Sequence, residues 1–188
     1  MSKRPIKLTV FIHEDLKDAD EDQLYEDHFD WLADKLEFIS TRTVNVNLIK
    51  PSDAPLVSNF DYKGENLGEL LSGLKYQVAI YLLAVRNVTD DNSLNKFLLL
   101  TRSPINAKIL GIAYTAGHFA IASTTSKDVA AHEVGHMFDA RHEDVDEKFE
   151  TYYGTRKTIM YKTQDESVAF AFSEQNQENI RKYLSQFD

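Results

Sequence analysis

The sequence predicts an α/β domain, and three observations lead there. Short apolar stretches of strand length alternate with stretches whose apolar residues recur every three to four positions. Proline, glycine, serine and aspartate collect between them, as in residues 51–66. At 188 residues with 43% hydrophobic composition, the chain suits one globular domain over residues 1–188 with a sizeable core.

Residues 8–12 read as a first strand, short and mostly apolar. From about residue 20 to 39 the pattern is helical, with Tyr25, Phe29, Leu32, Leu36 and Ile39 forming one stripe. Val44, Val46 and Leu48 alternate with Asn45 and Asn47, as a strand with one buried face should. Residues 51–66 read as a loop and 67–74 as a short helix. The unbroken apolar run at 78–85 fits a central strand covered on both faces. A loop-and-short-helix region then leads to a fourth strand at 109–114, a turn at Gly117 and a fifth strand at 118–122. Thr124, Thr125 and Ser126 are candidate caps for a helix with Asp128 in its first turn. A polar, charged stretch runs from 142 to 157. Ser173 is the expected cap of a last helix, with Ile180, Tyr183, Leu184 and Phe187 on its apolar face.

The chemistry concentrates in one dodecapeptide, residues 131–142, which holds three of the six histidines. On a helix, residues four apart share a face about 5.4 Å apart, so His132 and His136 can aim at one ion. Glu133 lies beside them, close enough to polarise a water on that ion but off the ligand line. His142 would be rotated away by an unbroken helix. It becomes a third ligand only if the helix stops near residue 139 and the chain turns back. Three histidines with one open position is a catalytic zinc arrangement, since structural zinc sites close the fourth corner with protein. His118 is read either as a substrate contact or as a surface histidine, and His13 and His28 as surface or satisfied histidines.

The pattern His132-Glu133-x-x-His136-x-x-Asp139-x-x-His142 resembles the zinc signature of the metzincin metallopeptidases, which carry glycine where this chain has Asp139. Thr158-Ile159-Met160-Tyr161 resembles the family's methionine turn, in which Met160 would pack beneath the histidines as a structural residue. Gly135, Phe138 and the Phe172-Ser173 pair are similar to the adamalysin/reprolysin branch, whereas Glu143 is closer to astacins. The family glycine stands where the chain reverses with positive φ, and aspartate is among the few side-chain-bearing residues tolerated there. Asp139 is therefore expected in the left-handed conformation, ending the helix.

The resemblance implies a twisted five-stranded mixed sheet with an antiparallel edge strand, a long active-site helix and a C-terminal helix. It also implies a zinc-dependent endopeptidase with one Zn²⁺ on His132, His136 and His142 and Glu133 as general base. A peptide or protein substrate would lie extended along the edge strand at Gly111, Ile112 and Ala113, and the residues after Met160 would wall its pocket. Tyr161 could hold the oxyanion with its hydroxyl or serve as a wall or packing tyrosine. Two other readings stay open: a catalytically impaired zinc-binding interaction module, motivated by Asp139, and a narrow-specificity effector or toxin protease.

Charge and composition narrow the partners. The net charge of −9 disfavours nucleic acid, and much of the excess lies in residues 14–30, where a solvated helix start accounts for it. No cysteine is present, so neither disulfides nor a cysteine latency switch can form, which is compatible with a reducing compartment. No apolar signal core or span of about 20 apolar residues occurs, so the expectation is a cytoplasmic monomer that engages no membrane. A chain trimmed of a signal or pro-segment would begin the same way.

Overall fold

The computed structural model describes residues 3–85, 94–162 and 168–187. The chain runs β1 (Ile6–Ile12), α1 (Glu21–His28), α2 (Asp30–Ser40), β2 (Val44–Ile49), α3 (Pro55–Ser58) and α4 (Leu67–Val85). It continues with β3 (Asn95–Thr101), β4 (Gly111–Ala113), β5 (Phe119–Ser123), α5 (Val129–Met137), the hairpin β6 (Phe149–Thr151) and β7 (Gly154–Arg156), and α6 (Glu174–Leu184). Five strands form one sheet in the order β2-β1-β3-β5-β4. All neighbours are parallel except β4, which pairs antiparallel with β5 at the edge, Ile112 opposite Ile121. The mixed α/β sheet with an antiparallel edge strand is the fold the resemblance implies.

Period-two alternation splits the strands between two cores. Ile6, Leu8, Val10 and Ile12 of β1, Leu98 and Leu100 of β3, and Ala120 and Ala122 of β5 pack with α1, α2, α5 and α6. Phe11, Phe97, Leu99, Phe119 and Ile121 point the other way, toward α3 and α4. Helices thus cover both faces, as a largely parallel sheet requires.

Several elements differ from the sequence reading. The stretch 78–85 is not a central strand but the second half of α4, whose buried residues Leu71, Leu74, Val78 and Leu82 follow a helical period. Nearly every residue of that stretch is apolar, and a short apolar run does not distinguish a strand from a helix. The central strand is instead β3, buried at all seven positions, in the region read as loop and short helix. Residues 86–93 of that region lie outside the described residues. The helix expected over 20–39 is two helices, broken at Phe29 (φ −127°), though the apolar stripe continues across the break. The loop at 51–66 contains the single turn α3, with Pro55 in its first turn. Ser173 caps α6 as expected, accepting from the Asn176 N–H. At the start of α5 the capping position is Asp128, which makes no side-chain cap and is instead bonded by the Ser126 hydroxyl. Among the described residues, no helix is long and apolar enough to cross a membrane.

Candidate metal centre

Helix α5 lies against β5 and β4, on the face where β5 presents only Ala120 and Ala122. All nine of its residues are buried, including His132, Glu133 and His136. Gly135 permits this depth: a Cβ there would come within 2.8 Å of the Met160 sulfur and 2.9 Å of the Phe172 ring. The 158–161 segment is thereby seated directly on the histidine helix.

The helix ends as the third histidine needs. Asp139 has φ +71°, its N–H meets the His136 carbonyl at 3.0 Å, and the Ala140 N–H reaches back to Gly135 O at 2.9 Å. That bond pair with a left-handed residue is a Schellman cap, filled by glycine in most helices. The Asp139 carboxylate turns outward to the Arg141 guanidinium (3.0 Å), away from the histidines. The chain then reverses and brings His142 back.

The three rings converge. His142 Nε2 lies 2.9 Å from His132 Nε2 and 3.0 Å from His136 Nε2. Nitrogens bonded tetrahedrally to one ion at 2.0–2.1 Å sit about 3.3 Å apart, so these two separations are a few tenths of an ångström short of such a site. His132 Nδ1 lies 2.9 Å from the Ile159 carbonyl and His136 Nδ1 3.0 Å from the Ala140 carbonyl. Only an N–H can meet a carbonyl oxygen, so each Nδ1 carries the proton and each Nε2 offers its lone pair inward. Burial and the neighbouring imidazoles depress the His132 pKa to about 3 and the His136 pKa to about 4; burial lowers that of His142 as well. The cluster therefore stays unprotonated and ready to ligate, and these three residues could hold a metal ion.

No family model matches the sequence, nor does any curated protein. A solved structure does match: metalloproteinase-II from Bacteroides fragilis, with a TM-score of 0.65 at 14% sequence identity. The two chains share a fold. The match covers 98% of this chain and 56% of that one, so this chain spans just over half the length of its structural neighbour.

Within that fold, one cleft joins the histidines to the sheet edge. It is lined by residues 108–113, the three histidines, Glu133 and Lys162. Gly111, Ile112 and Ala113 of β4 thus stand beside the histidines. Glu133 is pushed up to about 8 by burial alone. Gly111 makes room for it, since a Cβ there would lie 2.7 Å from Glu133 Cγ and 2.8 Å from the Ile121 carbonyl. Met160 is fully buried under the helix.

The remaining candidates separate from the centre. Tyr161 does not line the cleft; its ring lies under the Lys157 ammonium, 3.7 Å from the centroid. Residues 163–167, part of the expected pocket wall, lie outside the described residues. His118 sits against Phe97 and Phe119 and lines a different depression with Tyr114. His13 is satisfied by the Phe60 carbonyl and the Asp15 N–H. Sequence reasoning missed Lys108 and Lys162 on the cleft and the two carbonyls that orient the helix histidines. No local pattern marks a backbone carbonyl brought in from 27 residues away.

Proposed function

We propose that this chain is a zinc-dependent endopeptidase of metzincin type, nearest the adamalysin/reprolysin-like branch. The observation that carries the reading is the convergence of three inward-facing Nε2 atoms beside a buried glutamate, in a cleft bordered by an edge strand. A zinc ion held by His132, His136 and His142 would supply a Lewis acid for the scissile carbonyl and lower the pKa of a water there to about 7. Glu133 accepts the proton of the attacking water and returns it to the leaving amine. Burial alone keeps Glu133 protonated at neutral pH; a divalent cation nearby favours its charged form and makes it the base. Among the described residues strand β4 pairs with β5 alone, which leaves its other edge for an extended substrate backbone. The branch assignment draws on Gly135, packed on Met160, and on Ser173 as the α6 cap.

Asp139 gives little support to the impaired-module reading, because its carboxylate points to Arg141 and leaves the cleft clear. The test is a quenched peptide library incubated with the protein, with zinc added and then chelated. Zinc-dependent cleavage within peptides supports the reading. Stoichiometric zinc binding with no cleavage of any member removes the peptidase and leaves a metal-binding module.

A further inference from the structure

The three histidines are not held alike. His132 and His136 are each fixed twice, by the helix and by a carbonyl on Nδ1. His142 has no such partner on Nδ1 among the described residues, and it sits on a single 3-10 turn (His142–Asp144) rather than on a helix. Apart from the two imidazoles it meets, with ring centroids 5.0 and 4.6 Å away, its ring takes its place from its backbone, which is gripped from one side. Asn176, in the first turn of α6 and fully buried, accepts the Arg141 N–H at 2.7 Å and donates to the carbonyls of Arg141 (3.0 Å) and Asp144 (3.2 Å). One amide thereby satisfies backbone groups on both sides of His142. Flipping it would set donor against donor, so its orientation is fixed. Ser173 adds a hydroxyl bond to the Asp144 carbonyl, and Asn179 donates to the Asp144 carboxylate at 2.7 Å.

We infer that Asn176 is a positioning residue for the metal centre, clamping residues 141–144 so that His142 meets the other two imidazoles. The inference rests on the three histidines being ligands. It places the determinant of the third ligand some 34 positions downstream, in the C-terminal helix. Partners of this kind, which hold a ligand without touching the metal, are worth about 10–100-fold in metal affinity.

The test measures Zn²⁺ affinity by competition with a chromophoric chelator for the unaltered chain, Asn176→Ala, His142→Ala and the double variant. Asn176→Asp, which keeps the acceptor for the Arg141 N–H and loses both donors, runs in parallel in case the alanine variant fails to fold. The expected result is a loss of about 10–100-fold for either Asn176 variant, and no further loss when Asn176→Ala is added to His142→Ala. In the metal-free protein, amide exchange at Arg141 should accelerate in Asn176→Ala, which removes its acceptor, while that of His132, inside α5, stays as it was. Unchanged zinc affinity in the Asn176 variants, or an equal loss in the His142→Ala background, overturns the inference alone. Failure of the unaltered chain to bind zinc overturns the reading of the site and this inference with it.

Discussion

Helices α4 and α5 flank the same sheet and are built on opposite terms. Helix α4 has 19 residues, of which four (Leu71, Leu74, Val78 and Leu82) are buried, and it exposes Tyr76 and Leu83 to solvent. Helix α5 has nine residues and buries all of them. The long helix covers the sheet with one stripe. The short one is wedged between the sheet, the 158–161 segment and α6, so its polar side chains are buried with its apolar ones. Burial of that kind is what depresses two imidazoles and raises a carboxylate in a single turn. The comparison teaches that packing and chemistry are separable in α4 and inseparable in α5.

Substitutions can break or sharpen that contrast. The largest effect is expected at Glu133→Gln, which keeps the shape of α5 and removes the proton acceptor. Peptide cleavage should fall by about 10³-fold or more with zinc content by mass spectrometry unchanged, and full activity would remove Glu133 from the mechanism. In α4 the largest loss should come from the stripe. Leu74→Ala is expected to cost about 2–5 kcal/mol in urea unfolding and Leu83→Ala less than about 0.5 kcal/mol. The two helix glycines give a matched pair. Gly135→Ala drives a Cβ toward the Met160 sulfur and the Phe172 ring and should destabilise by about 1–3 kcal/mol. Gly73→Ala in α4 meets only the half-buried Phe60 ring, at 2.9 Å, and helix propensity returns about 1 kcal/mol, so its net effect should be near zero.

A pH signature centred on α5 is also expected in the metal-free protein. Between about pH 4.5 and 6.5 the unfolded chain holds the His132 and His136 protons that the folded chain refuses, and the folded chain holds only the extra Glu133 proton. Stability should therefore rise with pH there, by about 1.4 kcal/mol per unit for each net proton. Above about 6.5 only the raised Glu133 remains, and stability should fall as pH climbs toward 8. Thermal unfolding scans of the metal-free chain should show a maximum near pH 6.5. A monotonic profile would mean that the helix is less dry than its packing indicates.

The centre was legible because its information is local. Two histidines one turn apart, a glutamate between them and an aspartate able to take a left-handed conformation all lie within 11 residues. Strand β3 was hidden because Leu98, Leu99 and Leu100 carry no β-branched signal and Asn95 and Lys96 look like loop residues, yet all five are buried. The second half of α4 was misread because its outward face is as apolar as its inward one, which erases the period. The grip of Asn176 on the 141–144 turn was illegible in principle. An asparagine in the first turn of a helix is common, and only the folded backbone shows which carbonyls it meets.

Loops usually absorb insertions and deletions without harm, but the left-handed corner at Asp139 removes that tolerance here. Five residues connect the second imidazole to the third, and the corner spends them on one tight reversal. Adding or deleting a single residue would displace the returning ring by up to about 3.8 Å, nearly twice a zinc–nitrogen bond. The segment joining His136 to His142 therefore behaves as a ruler: its sequence can drift, but its length cannot.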